Sequence, residues 1–244
     1  METIEIKNIE GKILYSYTCE NNTISKTLEQ ANLESICLNE ANLSNKVIEN
    51  VKLSKLRLIG ANFTNSVFNN VTISDSQLSL TDLSHSEIKN THFIDTALYN
   101  SNFVGSSINN SQFLRCTLEN TLFCMASIED SEFLSKRMRN INFNGTLFNN
   151  VVYYGGGVIK NTHDVSCIGN IGSRGFYTTV FNTDKGIFVS CGCFFGTLKE
   201  FKKQVLITHK NIPQYKKEYL DMIDYVQKRF KPKFSLKSIF KRSK

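Results

Sequence analysis

Thiols and imidazoles collect toward the C-terminal end of this 244-residue chain, at His163, Cys167, Cys191, Cys193 and His209. Thiolate sulfur and imidazole nitrogen suit Zn²⁺, which makes His163, Cys167, Cys191 and Cys193 weak candidates for a zinc site. Against this, a Cys-x-Cys pair on a strand points both side chains to one face, and the C-x2-C knuckle is missing. Buried structural cysteines are the competing reading. Cys191 or Cys193 with His209 and Asp221 would supply a nucleophile, a base and an orienter, but no local nucleophile signature accompanies them. Gly172-Ser173-Arg174 offers backbone N–H groups and a guanidinium, a weak anion site at Ser173 and Arg174; a turn or a buried structural arginine explains the same residues. Gly155-Gly156-Gly157 lacks the helix with Lys and Ser/Thr that a phosphate loop needs, so it reads as a linker. None of these sets amounts to a catalytic constellation, and none calls for a cofactor.

Charge is unevenly placed along the chain, whose net charge is +7. Residues 1–27 hold three Lys/Arg against four Asp/Glu, a net of −1; residues 28–153 hold nine against twelve, a net of −3. Residues 154–244 hold seventeen against six, a net of +11. The last stretch supplies eight cations in seventeen residues and no acid: Lys228, Arg229, Lys231, Lys233, Lys237, Lys241, Arg242 and Lys244. Phe230, Phe234, Leu236, Ile239 and Phe240 interleave with them. Three readings stand: an anchor on an anionic membrane surface, a contact to nucleic-acid phosphates, and a solvated tail.

The middle of the chain has a different order. Every fifth residue from Leu28 to Tyr153 is apolar, twenty-six times in succession. In a chain that is 41% hydrophobic, chance gives such a frame with a probability of about 10⁻¹⁰. A period of five fits neither a helix nor a simple strand, so the backbone must turn a corner at each repeat. Two residues before each central position lies a small or apolar residue, such as Ala31, Ala41, Ala61, Val71, Ser101, Cys116 and Ala126. Two residues after it lies a turn former: of twenty-five such positions from Gln30 to Asn150, thirteen are Asn or Asp and three are Gly. These residue types accept the left-handed backbone conformation at low cost. Four corners close a square of twenty residues, and squares stack by backbone hydrogen bonds into a solenoid.

Residues twenty apart then share a column. One column is Leu38, Leu58, Leu78, Leu98, Leu118 and Met138; another is Leu43, Phe63, Leu83, Phe103, Phe123 and Phe143; a third ends in Phe93, Phe113, Phe133 and Tyr153. Twenty-six repeats make six and a half coils, a rod of roughly 30 Å. Units such as Ala31-Asn32-Leu33, Ala41-Asn42-Leu43 and Ala61-Asn62-Phe63 resemble the pentapeptide-repeat family. The resemblance implies an all-β solenoid, a right-handed quadrilateral parallel β-helix, and a bacterial or phage origin. It implies little about function, because a scaffold defines the family.

Both ends of such a rod need lids. Thr3 to Ile9 and Lys12 to Thr18 alternate around Glu10-Gly11, a β-hairpin suited to cover the first coil. Beyond the glycines, Phe176–Asn182 and Ile187–Phe194 read as two strands around Thr183-Asp184-Lys185-Gly186. Thr197-Leu198-Lys199-Glu200 is a capping box opening a helix to about His209, with Leu198, Phe201, Val205 and Leu206 at helical spacing. Pro213 starts a second helix to about Phe230, with Tyr215, Tyr219, Met222, Ile223 and Val226 on one side. These helices pack on the last coil or on a second copy, the latter a homodimer through the C-terminal helices. The segment from Ile171 to Phe201 resembles a tail module that follows pentapeptide repeats in some phage and bacterial proteins, with no assigned activity. The expected division is a hairpin cap at 1–27, a repeat β-helix at 28–154, an α+β domain at 155–230 and a basic tail at 231–244.

On the rod, Ile94, Leu114 and Leu134 lie one residue past central positions and twenty apart, an outward apolar stripe. Arg115, Arg137 and Arg139 stand near it as further partner-binding candidates. Lys136 falls in a slot that elsewhere takes a small inward residue, so a bulge or a snorkelled side chain is expected. Seven scattered cysteines, an odd number, indicate reduced thiols and a cytoplasmic setting. Met1 to Gly11 lacks the apolar core of a signal peptide, and no apolar run is long enough to span a membrane. The expected function is a non-enzymatic scaffold that binds a macromolecular partner through its flat faces or basic end. The rivals are a gyrase-interacting DNA mimic, a membrane-surface effector anchored by the tail, and an enzyme or zinc site in the C-terminal domain. A rod of net −3 lacks the acidity that DNA mimicry needs.

Overall fold

In the computed structural model the corners sit where asparagine recurs. Asn45, Asn65, Asn90, Asn100, Asn120 and Asn140 all take positive φ near 50–60°, and Gly60, Gly105 and Gly145 take φ near 70°. The structure describes residues 1–135, 137–155, 157–169, 171–173 and 175–230.

The chain opens with an antiparallel hairpin, β1 (Glu2–Lys7) and β2 (Ile13–Cys19), followed by helix α1 (Ile24–Leu33). Thr23 caps α1 through the Lys26 N–H. The expected hairpin is therefore present. The repeat, however, does not begin at Leu28. Leu28 is buried from a helix, and Leu33 at the helix end is 75% exposed instead of pointing into a coil. Residues 24–33 carry Leu28 and Leu33 at five-residue spacing, but a Thr N-cap and a run of helix formers override that pattern locally.

From Leu38 onward the chain winds as a parallel β-solenoid of about five turns, fewer than six and a half because the helix removes the first repeats. Its strands are β3 (Val47–Ser54), β4 (Val67–Ser74), β5 (Glu87–Lys89), β6 (His92–Ile94), β7 (Ser107–Asn109), β8 (Gln112–Leu114), β9 (Ser127–Glu129), β10 (Glu132–Leu134) and β11 (Leu147–Tyr153). Each pairs in parallel with the strand one coil on, in a register of twenty: Val47 with Val67, Phe93 with Phe113, Ile108 with Ile128. The other two sides hold single bridges at the same spacing, as in Arg57–Gln77–Ala97–Thr117–Arg137 and Asn62–Asp82–Asn102–Leu122–Asn142.

Inside, the columns form as spaced. Leu58, Leu78, Leu98 and Leu118 each donate a backbone N–H to the coil above and are buried. Phe93, Phe113 and Phe133 stack with centroids 5.1 and 4.7 Å apart, and Phe103, Phe123 and Phe143 with centroids 4.8 and 5.4 Å apart. Edge contacts join the two columns, Phe113 to Phe123 at 6.0 Å. The small inward positions bury hydroxyls whose hydrogen bonds stay local: Ser66 Oγ donates to the Phe63 carbonyl, Ser86 Oγ to that of Leu83 and Ser106 Oγ to that of Phe103. An apolar residue there would lose this bond.

At the far end, the chain reverses where a linker was expected. After Tyr154-Gly155 the chain returns as β12 (Gly157–Asn161), antiparallel to β11, with Gly157 opposite Tyr153. Glycine is needed at 157 because a Cβ there would lie 2.5 Å from Thr183 Oγ1. A short 3-10 turn (Thr162–Asp164) leads to a four-stranded antiparallel sheet of β13 (Val165–Ile168), β14 (Thr178–Thr183), β15 (Gly186–Cys191) and β16 (Phe194–Thr197). Only the central pair and its Thr183–Gly186 turn were expected from the sequence; β13 and β16 are short edge strands without clear alternation. Phe181 of β14 lies 3.9 Å from the Tyr153 ring and 6.2 Å from Phe143, so the aromatic core continues into this sheet.

Helix α2 (Leu198–Thr208) starts at a complete capping box of Thr197 and Glu200, and α3 (Pro213–Arg229) starts at its proline. Leu198, Phe201, Val205, Tyr219, Met222, Ile223 and Val226 are buried together against Val180 and Val189 of the sheet, while Leu206 faces outward. The apolar helix faces expected to hold a second copy are thus occupied within the chain. Among the described residues no helix is long and apolar enough to cross a membrane. Lys136 and the segment 231–244 lie outside the described residues.

Two substitutions test this architecture. Phe123→Ala empties the centre of the Phe103–Phe123–Phe143 column, removes its edge contacts to Phe113 and Phe133, and is expected to lower unfolding free energy by about 3–5 kcal/mol in urea titration. Leu80 holds an exposed corner at φ 61°, so Leu80→Asn removes left-handed strain and is expected to raise Tm by about 2–4 °C.

Candidate functional site

The outward faces of the solenoid are mostly polar, and their polar groups bind one another. Asn120 Nδ2 donates to Asn100 Oδ1 at 3.0 Å, Asn140 Nδ2 to Asn120 Oδ1 at 2.8 Å, and Asn140 Oδ1 accepts the Tyr177 N–H at 3.0 Å. On a second corner Asn70 Nδ2 donates to Asn50 Oδ1 and Asn110 Nδ2 to Asn90 Oδ1, while Asn90 Nδ2 donates to Asn69 Oδ1. Gln112 Nε2 donates to Glu132 Oε2 at 2.8 Å. These side chains hold the coils together and are largely satisfied without a partner.

One column breaks this rule. Ile94, Leu114 and Leu134 stand in strict register on the side made by β6, β8 and β10, each half-buried. Tyr154, twenty residues past Leu134, extends the column and meets Phe195 of β16 with ring centroids 5.3 Å apart. The sequence reading stopped at Leu134, although the same spacing points to Tyr154. Arg115 flanks the stripe in a two-pronged ion pair with Asp95, at 2.7 and 2.5 Å. Both side chains are exposed, and the guanidinium holds the Asp95 carboxyl below its ordinary range. Arg139 pairs loosely with Glu119 at 3.7 Å, and Arg137 is exposed on the next side in a backbone bridge with Thr117.

The remaining candidates separate. His163 sits in the 3-10 turn and Cys167 on β13, where the thiol is pushed up by burial and accepts from Thr179 Oγ1 at 3.7 Å. Cys191 ends β15, accepting from Thr178 Oγ1 at 3.1 Å, and Cys193 lies in the turn after it rather than on the strand. His163 and Cys167 line one groove, while Cys191 and Cys193 line another. The four expected zinc ligands are thus split between two places, and among the described residues no three His, Cys, Asp or Glu are grouped to hold a metal. His209 does share the second groove with Cys191 and Cys193, but Asp221 is exposed and paired to Lys217 at 2.6 Å. The orienter of the expected triad is therefore missing.

Of the expected anion site, the Gly172 N–H is already given to Glu218 Oε2 at 2.7 Å, which places a carboxylate where an anion would sit. Arg174 lies outside the described residues. Two cations of the basic end close the last turn of α3. Lys228 pairs with Asp224 at 2.5 Å, and Arg229 lies 5.6 Å from the Phe230 ring and reaches the Val165 carbonyl at 3.5 Å. Lys231, Lys233, Lys237, Lys241, Arg242 and Lys244 lie outside the described residues.

Residues 48–84 match the family model described as pentapeptide repeats, in eight copies. No curated protein matches the chain. Several solved structures are similar over part of it. A pentapeptide repeat protein from the thylakoid lumen of Arabidopsis thaliana is 15% identical, with TM-score 0.37, over 39% of this chain and 66% of that one. The chain thus spans just under two thirds of that protein's length. The pentapeptide repeat protein Rfr23 from the cyanobacterium Cyanothece 51142 is 15% identical, with TM-score 0.36, over 53% of this chain and 99% of that one. HetL, a pentapeptide repeat protein involved in heterocyst differentiation regulation in Nostoc sp. strain PCC 7120, is 12% identical, with TM-score 0.28, over 50% of this chain and 76% of that one.

Thiol reactivity reads out the inward and outward positions. Cys37 is exposed, whereas Cys116 is buried, donates to the Phe93 carbonyl at 3.2 Å and has its thiol pushed up to about 12 by burial. Alkylation of the native protein near neutral pH, read by peptide mass spectrometry, is expected to modify Cys37 and spare Cys116 until the chain is unfolded.

Proposed function

We propose that this pentapeptide-repeat chain is a non-enzymatic scaffold that holds a protein partner against the side of its solenoid carrying Ile94, Leu114 and Leu134. The observation that carries the reading is the register of those three residues. On a rod whose outward polar groups are tied to each other coil by coil, they form an aligned apolar column left open to a partner. A half-exposed apolar column rimmed by charge is the usual make-up of a recognition surface. Tyr154 and Phe195 lengthen it onto the C-terminal sheet, so one partner can lie across both parts. Arg115, locked to Asp95, gives the column an ordered polar edge and fixes the partner's orientation more than its affinity. The free thiols of Cys19, Cys37, Cys116, Cys124 and Cys167 support a reducing, cytoplasmic setting for this interaction.

The test is co-purification from the native cell with the full chain, a Leu114→Glu/Leu134→Glu double variant, and Thr64→Glu on the opposite side as control. All three are expected to keep the same circular dichroism spectrum. A specific partner is expected with the unaltered chain and Thr64→Glu, and in at least about tenfold lower amount with the double variant, the loss of two apolar contacts. Equal recovery with all three overturns the assignment of this side.

A further inference from the structure

Helix α2 carries two kinds of surface. Leu198, Phe201 and Val205 are buried against the rest of the C-terminal part. Lys199, Lys202, Lys203 and Leu206 recur on its other side at steps of three and four, and all four are exposed. Ile207, four residues on from Lys203, keeps 62% of its surface open, and Ile212 at the entry to α3 is exposed as well. Residues 198–212 hold four lysines against one glutamate. The outer face therefore mixes ammonium groups with large aliphatic side chains.

The charge of this face is not spent within the protein. Among the described residues, none of Lys185, Lys199, Lys202 and Lys203 enters an ion pair, whereas Lys217 and Lys228 of α3 are paired to Asp221 and Asp224. The acids nearest in sequence are committed elsewhere: Glu200 Oε2 accepts the Thr197 N–H at 2.8 Å, and Asp184 Oδ1 accepts the Val158 N–H at 2.9 Å. Beside the face, a groove of about 550 Å³ lies between the turn at Lys185–Gly186, the start of α2 and α3. Exposed Lys185, Lys199 and Lys202 line it together with buried Leu198 and Ile223. Lys199 and Lys202 thus belong to both face and groove, and cations stand beside apolar surface in each.

That mixture selects among partners. Nucleic-acid phosphates answer the lysines but leave Leu206, Ile207 and the apolar part of the groove against a polar backbone. A neutral apolar partner covers the aliphatic side chains and buries ammonium groups without counter-charge. An anionic bilayer meets both needs: headgroups lie over the lysines, whose stems reach outward, while the aliphatic side chains enter the boundary with the acyl chains. We propose that the outer face of α2 and the adjoining groove dock on an anionic phospholipid surface, with Leu206 and Ile207 dipping into the interface and Lys185, Lys199, Lys202 and Lys203 set against lipid phosphate and carboxylate groups. The contact is peripheral. Charge supplies most of the attraction, which weakens as salt rises. None of its residues lies on the solenoid side that carries Ile94, so either assignment can fail without the other.

The chain contains no tryptophan, so Ile207→Trp in the full chain places a single indole on this face, and Leu147→Trp places one at an exposed position of β11. Vesicles of phosphatidylcholine with about 30% phosphatidylserine are expected to move the Ile207→Trp emission to shorter wavelength, with quenching by brominated acyl chains. Phosphatidylcholine alone, and the Leu147→Trp chain on either vesicle, are expected to give neither. Adding Lys199→Gln, Lys202→Gln and Lys203→Gln is expected to lower the partition coefficient about a hundredfold, near fivefold per lysine. Residues 228–244 are the same in every variant, so attachment through them alone gives co-sedimentation without the emission shift. The proposal is overturned by that result, by an equal shift on phosphatidylcholine alone, by unchanged partition in the triple lysine variant, or by a shift with duplex DNA or polyglutamate and none with anionic vesicles. Co-sedimentation of the unaltered chain against the triple variant reads the same lysines even if Ile207→Trp perturbs the helix.

Discussion

A left-handed residue at every fifth position, from Ser35 to Gly155 with Ser135 the exception, is the constraint on which the molecule depends. Each such corner turns the backbone by about a quarter of a circuit, and four of them return the chain to a point directly above its start. Only then can backbone N–H groups along a side meet carbonyls of a neighbouring coil, nineteen or twenty-one residues away. The inward apolar pair, the outward polar columns and the stacking of like on like all follow from that return. A single slipped residue would interchange inside and outside for the rest of a side. The corners also explain the asparagines: an amide side chain accepts positive φ and bonds to the same amide one coil away, so one residue type serves both the bend and the stack.

The core shows why the two parts of the chain belong together. The phenylalanine columns do not stop at the last coil. They pass to Tyr153 and then to Phe181 of the C-terminal sheet, while Ser190 Oγ donates to the Met138 carbonyl and the Tyr177 N–H closes an asparagine ladder. A hydrogen-bonded strand, β12, lies where the three glycines suggest a loose joint. The helices then cover the other face of that sheet. The solenoid and the C-terminal sheet with its helices therefore share one continuous packed interior.

The solenoid was legible in the sequence because its signal repeats. Columns such as Leu38–Leu118 and Phe103–Phe143 could be written down from spacing alone, and so could the register of Ile94, Leu114 and Leu134. The capping box at Thr197 and the proline at 213 placed both helices to within a residue or two, since capping chemistry is local. What failed was non-local or competitive. Leu28 and Leu33 keep the period but obey a helix, because an N-cap and helix-forming neighbours outweigh two repeats. Gly155–Gly157 looks the same in sequence whether it is a tether or a reversal; the Thr183 side chain that forces glycine at 157 comes from a distant strand. Strands β13 and β16 exist because β14 and β15 offer edges to pair with. Cys191, Cys193 and His209, grouped from the sequence, do line one groove, whereas the Phe194–Phe201–Tyr219 ring contacts carry no sequence mark beyond apolar spacing.

The reversal at the glycines also bears on how such a molecule changes over generations. Strand β12 runs against β11, so the stack ends by a change of polarity at one end and by a helix and hairpin at the other. Neither terminus needs to know how many storeys lie between. A duplication of any twenty residues within the rod would insert one more storey of about 4.8 Å and present both closures with the surfaces they already fit. The reach of the outer face is thereby free to drift in steps, while the sheet and helices at the end are carried along unaltered.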